Sequence, residues 1–233
     1  CKNKGLMKKL MAYHKIKTPN FFILDRNKPI KIPRTTRYPL IIKPVAEDGS
    51  YGISQASYVE SEEALRERVK FLHQNMGQDA LVEEYVQGRE LYVTVMGNKQ
   101  LEVYSPREVV FREVPEDEPK IATFKAKWDE KYREKWGIQN RFANPLADGV
   151  LERITHLCKK VYRILNINGY GRIDLRLTPA NDIMILEANP NPGITAEEDV
   201  SLSATKEGMN YNEFIQKILM MGLQMAQEKS KRS

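Results

Sequence analysis

Residues 169–194, GYGRIDLRLTPANDIMILEANPNPGI, constrain the fold more than any other stretch, because charged side chains alternate with apolar ones along two short strands. In a β-strand, successive side chains point to opposite faces. One face of the first strand carries three charged residues: Arg172, Asp174 and Arg176. In the second strand, Glu187 and Asn189 are two positions apart and also share a face. The stretch predicts a strand pair that presents carboxylates and an amide on one side.

The oxygen-bearing side chains of this strand pair predict a metal site. Asp174, Glu187 and Asn189 offer carboxylate and amide oxygens, which Mg²⁺ takes as ligands, usually together with substrate phosphates. Glu187 is placed to bridge two ions, and we expect two Mg²⁺ or Mn²⁺. The alternative is that Arg172 and Arg176 only pair with these acids on an exposed sheet face. Surface ion pairs stabilise a protein little, so the metal site is the favoured interpretation.

A glycine-containing loop, EDGSYGIS, follows the apolar strand LIIKP. Backbone N–H groups exposed by glycine can hold phosphate oxygens, so Gly49, Ser50 and Gly52 are candidate phosphate contacts. Lys43 lies within the apolar strand, where burial of its charge is costly unless an anionic group meets it. The loop lacks the GxxxxGK[ST] motif, and by itself a hairpin turn explains it equally well. Lys43 beside the loop favours phosphate binding.

The stretch LVEEYVQGREL places Glu83, Glu84 and Glu90 around a tight turn after another apolar strand. A chain that leaves a strand has backbone N–H and C=O groups that suit the edge of adenine. A carboxylate a few residues further on can accept the ribose hydroxyls. A solvated acidic hairpin is an equal alternative on this stretch alone.

The stretch IATFKAKWDEKY carries Lys125, Lys127 and Trp128 within residues 115–145, the least regular part of the sequence. A loop of this length inside a compact domain is usually functional or disordered. A lysine on such a loop can close over a phosphate and exclude water. A basic surface loop is the alternative.

Helical and strand patterns are mixed without regular βαβ alternation, which predicts an α+β fold. Helices are expected over five ranges: 3–14, 61–76, 146–167, 200–207 and 211–228. Besides the strand pair, strands are expected at FFIL, YPLIIKP, QASYV, ALVEEYV, ELYVTVMG, QLEVYS and PREVVFREV.

The composition is that of an ordinary globular protein of 233 residues with a net charge of +6. This charge also suits a nucleic acid, but without an aromatic-and-basic strand motif that interpretation is the weaker one. Two cysteines, Cys1 and Cys158, cannot form a disulfide framework or a zinc cluster. No apolar run reaches the roughly 18 residues of a membrane span. We expect no membrane partner and a cytoplasmic protein, and a start at Cys1 instead of Met suggests that an N-terminal part is missing.

Taken together, the motifs resemble the ATP-grasp domain of the D-alanine–D-alanine ligase family nearly end to end. GYGRIDLRL and IMILEANPNPGI are similar to the family's Arg-x-Asp strand and its Glu-x-Asn-x-x-Pro-Gly strand and turn. LVEEYVQGRELYVTVMG is similar to its nucleoside hinge, and LIIKPVAEDGSYGIS to its lysine strand and glycine loop. NKGLMKKLMAYHKIKTPNFFIL looks like its opening helix.

The resemblance implies an ATP-grasp fold of two lobes, built on mainly antiparallel sheets, with the nucleotide bound between them. It divides the chain into an entry helix at 1–16, a smaller lobe at 17–87 and a larger lobe with the metal site at 88–233. The implied activity is ATP-dependent carboxylate–amine ligation. A carboxylate attacks the γ-phosphate to give an acylphosphate, and an amine then displaces phosphate to form an amide.

The resemblance also implies a role for each matching residue. Lys4 and Lys43 contact phosphates together with the glycine loop, and Lys127 reaches in from the irregular stretch. Four residues hold the nucleoside: Glu83, Tyr85, Val86 and Glu90. Three bind the two Mg²⁺ ions: Asp174, Glu187 and Asn189. Arg172 and the backbone N–H of Gly193 stabilise the tetrahedral intermediate.

Two departures from the family pattern bear on the substrates. The family has a further α/β domain that supplies part of the first-substrate site, and this sequence does not contain it. In PGITAEEDVSLSA, Glu198 stands near the place of a family serine that receives a substrate carboxylate. A glutamate repels a carboxylate and attracts an amine, so we expect an acceptor other than D-alanine that carries a positive charge. The alternative is that Ser201 or Ser203 takes the place of that serine.

Three other functions are alternatives to this ligase. They are another ATP-grasp chemistry such as a carboxylase component, a non-catalytic or regulatory ATP-binding module, and a nucleic-acid binder. The complete metal set argues against the second, and only net charge supports the third. The expected partners are ATP and small carboxylate and amine substrates, and a homodimer is left open.

Overall fold

The computed structural model describes residues 3–116 and 118–231. The chain divides into two compact units. Unit 1 comprises Cys1–Gly88 and Val109–Gln139, and unit 2 comprises Arg89–Glu108 and Asn140–Ser233. Cys1, which prompted the expectation of a missing N-terminal part, lies outside the described residues.

Unit 1 contains a four-stranded antiparallel sheet with the strand order β1-β4-β2-β3. The strands are β1 (Phe21–Leu24), β2 (Leu40–Pro44), β3 (Tyr58–Val59) and β4 (Ala80–Glu84). Its N-terminal part also contains the helices α1 (Lys4–Tyr13) and α2 (Glu62–Asn75) and a 3₁₀ turn at Gln55–Ser57. The buried residues Leu65, Val69 and Leu72 of α2 pack into one core with apolar residues of the sheet. Helical spacing therefore gives α2 an apolar face that covers the sheet.

A six-stranded sheet has the order β10-β9-β5-β7-β8, with β6 paired to β5. Its strands are β5 (Arg89–Met96), β6 (Glu102–Val103), β7 (Arg107–Phe111), β8 (Ile138–Phe142), β9 (Tyr170–Leu177) and β10 (Ile183–Asn189). The pairs β5·β6, β5·β9 and β9·β10 are antiparallel. Two antiparallel sheets with interspersed helices confirm the predicted α+β class.

A register shift in β10 decides which side chains share a face. Ile185 pairs with Leu175, but Glu187 pairs with Asp174, so one extra residue stands in β10 between the two pairs. Residues paired directly across strands lie on the same face, and an extra residue moves the rest of a strand to the other face. The shift therefore puts Glu187 on the face of Asp174.

Residues 115–145 are more regular than the sequence indicated. They contain the helices α3 (Phe124–Trp128) and α4 (Glu130–Lys135) before β8 begins. The Thr123 hydroxyl accepts a hydrogen bond from Ala126 N, and the Asp129 carboxylate accepts one from Tyr132 N. These N-caps satisfy N–H groups that a short helix leaves open. The expectation of an irregular stretch is thus wrong for these helices. Residues 109–139 group with unit 1, although the sequence analysis assigned them to the larger lobe.

The predicted helices are present in both units. Those of unit 2 are α5 (Val150–Ile164), α6 (Asp199–Lys206) and α7 (Tyr211–Ser230). The largest difference between predicted and observed helix bounds is at α5. This helix begins at Val150 instead of 146, because Gly149, with a φ of 73°, is its N-cap. Cys158 of α5 is fully buried, which fits the role of a small core residue. Of the helices in residues 3–116 and 118–231, none is both long and apolar enough to cross a lipid bilayer.

Candidate functional site

In unit 1, a buried carboxylate lies between two lysine side chains. The Glu83 carboxylate on β4 contacts Lys8 Nζ at 2.5 Å and Lys43 Nζ at 2.7 Å. The Lys8 side chain of α1 is fully buried, whereas the Lys43 side chain on β2 is 18% exposed. Lys8 was not predicted as a site residue. The sequence did contain a signal for Lys8: it follows Lys4 by four residues, which puts both lysines on one helix face.

These three side chains carry one more positive than negative charge. Burial raises the pKa of the Glu83 carboxyl, but the ammonium groups of Lys43 and Lys8 outweigh burial and lower this pKa to about 2. Glu83 is therefore ionised at neutral pH. A net positive cluster in a weakly solvated place attracts anionic groups, and Lys43 is the more accessible of its two cations.

The glycine loop after β2 has a specialised backbone. Three of its residues have positive φ angles: Gly49 (62°), Ser50 (61°) and Gly52 (74°). A Cβ on Gly52 would lie 2.6 Å from the flexible end of the Met76 side chain, so the positive φ angle, more than space, favours glycine at this position. Lys4 Nζ donates to the carbonyl of Glu47 and lies 3.9 Å from Asp48 Oδ1. The structure thus places Lys4 at the start of the loop.

The segment predicted to carry a phosphate-reaching lysine packs on this loop within unit 1. The Trp128 indole donates to the carbonyl of Gly49 at 2.9 Å, and Ser50 Oγ donates to the carbonyl of Ala122 at 2.8 Å. Lys127 lies on α3 and is half-buried. The glycine loop and Lys127 therefore belong to one packed substructure, in which the Ser50 hydroxyl binds the main-chain carbonyl of Ala122.

Two of the predicted nucleoside residues follow β4 directly. Tyr85 packs edge-to-face against Tyr58 with ring centroids 5.2 Å apart, and its hydroxyl accepts a hydrogen bond from Lys120 N at 3.2 Å. Val86 is half-buried. Tyr85 thus ties residues 109–139 to the end of β4, and its aromatic ring is committed to packing.

In unit 2, charged side chains form a strip along one face of β5, β9 and β10, which we call the charged strip. Its members follow from the strand register: Glu90 opposite Arg176, Tyr92 opposite Asp174, Thr94 opposite Arg172, Asp174 opposite Glu187, and Arg172 opposite Asn189. Directly paired residues share a face. The structure therefore brings together the predicted residues Arg172, Asp174, Glu187 and Asn189, and it places Glu90, which was predicted as a nucleoside contact, on the same face.

Ion pairs hold the charged strip. Arg172 Nε and Nη2 donate to the two Asp174 oxygens at 2.7 and 2.9 Å, and its guanidinium lies 4.3 Å from the centroid of Tyr92. Glu90 accepts hydrogen bonds from Arg176 Nη2 at 2.9 Å and from the Tyr92 hydroxyl at 3.1 Å. Burial lowers the pKa of Arg172, but the Asp174 carboxylate outweighs it and raises this pKa. The alternative of an exposed ion-paired face is wrong about exposure, since the Arg172 and Asp174 side chains are only 14% and 7% exposed.

The donor set around Asp174 fits a hard divalent cation. Glu187 is paired with Asp174, and Asn189 follows two residues later, so the set consists of oxygen donors. Asn189 Oδ1 accepts a hydrogen bond from Asn191 N at 2.9 Å, and an amide oxygen has a second lone pair for another contact. Residues 3–116 and 118–231 contain no group of three or more His, Cys, Asp or Glu side chains arranged to hold a metal. An ion here would rely on two carboxylates, the amide and oxygens of a substrate.

After β10, the chain turns and enters α6. Glu198 is the N-cap residue of α6, but its side chain makes no capping hydrogen bond. A Cβ added to Gly193 would lie 2.8 Å from both Cδ and Oε1 of Glu198. The end of the Glu198 side chain therefore packs against the Cα of Gly193. Gly193 is the residue whose N–H was predicted to stabilise the reaction intermediate.

The two serines considered as alternatives to Glu198 have structural roles. Ser201 Oγ donates to the carbonyl of Ile194 at 3.0 Å, and Ser203 Oγ donates to the carbonyl of Ser105 at 3.1 Å. Both side chains are buried. The structure thus brings Glu198 to the turn at Gly193 and uses both serines to anchor α6.

Comparison with known proteins gives a consistent match. The family model described as D-ala D-ala ligase C-terminus matches residues 2–220. The uncharacterized protein y4sG of Sinorhizobium fredii is 30% identical over 217 residues, which cover 93% of this chain and 61% of that protein. The D-alanine–D-alanine ligase of Bordetella petrii is 29% identical over 215 residues, which cover 91% of this chain and 61% of the ligase. The chain thus spans 61% of the length of these two relatives.

Solved structures give the same fold. The D-alanine–D-alanine ligase from Bacillus anthracis complexed with ATP aligns with a TM-score of 0.78 at 18% identity, covering 98% of this chain and 68% of that one. The VanG D-Ala:D-Ser ligase from Enterococcus faecalis aligns with a TM-score of 0.72 at 20% identity, covering 95% of this chain and 61% of that one. At these identities the likeness concerns the fold, and it confirms the predicted ATP-grasp fold.

Proposed function

The chain belongs to the D-ala D-ala ligase C-terminus family, and from this premise we propose that it is the ATP-grasp part of a carboxylate–amine ligase. The proposed reaction joins a carboxylate and an amine as an amide through an acylphosphate, with release of ADP and phosphate. The observation that carries the proposal is the register of β9 and β10, which pairs Asp174 with Glu187 and Arg172 with Asn189. A set of oxygen donors beside an arginine suits a reaction in which a phosphoryl group moves.

In this proposal, unit 1 binds the polyphosphate and the base of ATP. Lys43 and Lys4 contact phosphate oxygens together with the glycine loop, and Lys127 contributes from α3. Glu83 holds the ammonium group of Lys43 in place through the 2.7 Å ion pair. The backbone groups of Tyr85 and Val86, just after β4, hydrogen-bond to the adenine edge. Glu90 is the predicted acceptor for the ribose hydroxyls.

Unit 2 supplies the groups that act on the transferred phosphoryl and acyl groups. Asp174, Glu187 and Asn189 would hold Mg²⁺ or Mn²⁺, which when bound neutralises phosphate charge and orients the phosphate for in-line attack. Arg172 and the N–H of Gly193 donate to the oxygen that becomes negative when the amine adds to the acylphosphate. Donors fixed in advance at such an oxygen are worth roughly 10²–10³ in rate each.

The acceptor in this proposal carries a cationic group and is not D-alanine. Support comes from Glu198, whose carboxylate lies 2.8 Å from the position that a Cβ on Gly193 would take. In this proposal the attacking amine arrives beside Gly193. A carboxylate at this place attracts an ammonium group and repels the carboxylate of an amino acid. The burial of Ser201 and Ser203 in structural hydrogen bonds also supports the assignment to Glu198.

A coupled assay of ADP formation tests the proposed function. The purified chain is given ATP, Mg²⁺, a panel of carboxylates and a panel of amines, and amide products are identified by mass spectrometry. Asp174→Asn is expected to reduce kcat at least 100-fold, and the control Glu62→Gln, which alters an exposed pair with Arg66, is expected to leave it unchanged. An Asp174→Asn variant as active as the wild type would contradict the proposal, as would a folded chain that forms no ADP with any carboxylate even when joined to the α/β domain that the family carries.

A further inference from the structure

A second group of buried charges lies at the start of α6, directly after Glu198 and near enough to the charged strip for the Asp199 carboxylate to raise the pKa of Arg172. Arg107 Nε donates to Asp199 Oδ1 at 3.0 Å, and Arg107 Nη2 donates to the carbonyl of Asn140 at 2.8 Å. Asn140 Nδ2 donates to Asp199 Oδ2 at 2.8 Å. We call these three residues the α6 clamp. It joins β7, β8 and α6 within unit 2 and satisfies both oxygens of Asp199.

The position of Asp199 is unusual for an acid in the first turn of a helix. Such acids normally remain in solvent, where they interact with the helix dipole. Here the side chains of Asp199 and Arg107 are each 8% exposed, and Arg107 also lies 4.6 Å from the centroid of Phe142. Buried ion pairs often stabilise a protein no more than apolar residues would, and in some proteins their role is to fix one geometry. The clamp therefore fixes the point at which α6 begins.

That point determines where Glu198 lies. Glu198 directly precedes Asp199, so a fixed Asp199 leaves its neighbour little freedom of direction. The hydrogen bond from Ser201 to Ile194 ties the first turn of α6 to the residue after Gly193. With the helix start held by the clamp and by Ser201, the Glu198 side chain is directed over Gly193 instead of capping the helix.

We propose that Arg107, Asn140 and Asp199 are positioning residues that hold the Glu198 carboxylate over Gly193, so that it binds the cationic group of the acceptor. This inference rests on the proposed function and names the device behind its acceptor preference. Asp199 is buried and its carboxylate is held by Arg107 and Asn140, so we place the acceptor at Glu198 and not at the clamp. Its effect on the acceptor passes through Glu198.

The first arm of the test measures acceptor choice. The probes are 1,3-diaminopropane, which has a cationic second group, and D-alanine, which has a carboxylate. Asp199→Asn and the milder Asn140→Ala are expected to raise KM for the diamine about tenfold and to reduce the diamine-to-D-alanine ratio of kcat/KM at least fivefold. KM for ATP stays unchanged. Glu198→Gln is expected to reduce the ratio at least as much.

The matched control is Glu108→Gln, which disrupts another largely buried pair of unit 2. Arg89 donates to both Glu108 oxygens at 2.9 and 2.8 Å, and the Glu108 side chain is 8% exposed. This variant should leave the diamine-to-D-alanine ratio at its wild-type value. A clamp variant that keeps the wild-type ratio, or that raises KM for ATP as much as KM for the diamine, would overturn the proposal.

The second arm is independent of activity and separates failure of the clamp from failure of the proposed function. Backbone hydrogen exchange is measured by mass spectrometry over residues 193–202. Asp199→Asn and Asn140→Ala should speed exchange there at least tenfold, while Glu108→Gln should not. Unchanged exchange in both clamp variants would overturn the inference, whatever the enzyme makes. A wild type that forms no amide, with faster exchange in the clamp variants, would refute the proposed function and the acceptor part of the inference, and would leave the clamp as a device that fixes α6.

Discussion

The two units both bury charged side chains, but they do so with opposite balance. In unit 1, the Glu83 carboxylate lies between the ammonium groups of Lys8 and Lys43, so this cluster is net positive. In unit 2, acids outnumber arginines across the charged strip and the α6 clamp. The arginines are Arg107, Arg172 and Arg176, and the acids are Glu90, Asp174, Glu187 and Asp199. Glu198, which directly precedes the clamp residue Asp199, adds a fifth acid. The excess charge indicates the sign of the ligand: phosphates for unit 1, and metal ions and ammonium groups for unit 2.

The kinds of cation differ as well. Unit 1 uses lysines, which are compact point charges that can pair with a carboxylate and a phosphate at once. Unit 2 uses arginines, whose planar donors fix a carboxylate in one orientation, as Arg172 does with both oxygens of Asp174. The comparison therefore teaches that unit 1 is built to attract an anion, whereas unit 2 is built to hold its own acids in defined positions.

The largest effect is expected from Glu83→Gln, which leaves the buried Lys8 and the partly exposed Lys43 without their shared carboxylate. Removing one partner of a buried ion pair costs about 3–5 kcal/mol. Urea unfolding at pH 7 should show a loss of free energy of unfolding in this range. The double variant Glu83→Gln with Lys8→Met should recover part of it. A single variant as stable as the wild type would mean that the cluster needs no internal counter-charge.

A slightly smaller effect is expected from Lys43→Met, which removes the more accessible cation of unit 1. If Lys43 stabilises the transferred phosphate, kcat/KM for ATP should fall about 10²–10³-fold. The assay is steady-state ADP formation at saturating Mg²⁺. Lys28→Met is the control, because that lysine is 74% exposed and pairs with nearby Asp25. Equal values of kcat/KM for the two variants would show that Lys43 does not contribute to phosphate binding.

The ion pairs of Glu83 should also make the free energy of unfolding depend on pH. Folding lowers the pKa of Glu83 from its ordinary 4.5 to about 2. A carboxyl with a lowered pKa stabilises the fold above pH 4.5, and this contribution is lost as pH falls from 4.5 towards 2. The stability gap between wild type and Glu83→Gln should therefore be constant from pH 6 to 8 and should narrow below pH 4.5. Urea titrations at several pH values measure it, and a gap that widens in acid would contradict the ion pair.

The smallest effect is expected from an ion pair outside both clusters. Lys99 donates to Glu228 at 2.7 Å, but its side chain is 74% exposed. Exposed pairs contribute up to about 1 kcal/mol, so Lys99→Ala should change the free energy of unfolding by less than this and leave ATP kinetics unchanged. A larger loss would show that charge balance at the surface matters as much as in the two buried clusters.

The sequence predicted the faces of the central strands because alternation is a local property. It did not predict the register shift in β10, although that shift is what pairs Glu187 with Asp174. A shift of this kind depends on how two strands meet, and the spacing of Glu187 and Asn189 is the same with or without it. The likeness to a known family indicated the pairing of those strands, whereas their alternation alone did not.

Contacts between distant residues account for most of what was missed. Arg107 and Asp199 are 92 positions apart, and nothing local marks them as a pair. Lys8 was within reach of prediction, since it follows Lys4 by four residues on a helix. The caps of α3 and α4, Thr123 and Asp129, were also local signals that the expectation of an irregular loop overlooked. Local patterns thus predicted elements and faces, and tertiary pairing decided the site.

The most direct test of the opposite charge balance is titration calorimetry of ATP with and without Mg²⁺ on three proteins. They are the wild type, Lys43→Met for unit 1, and Asp174→Asn with Glu187→Gln for unit 2. We predict that the unit 1 variant loses ATP affinity in both conditions. The unit 2 variant should bind metal-free ATP as well as the wild type does and lose only the gain produced by Mg²⁺. A wild type that does not bind ATP, or two variants that lose affinity in the same way under both conditions, would contradict the account.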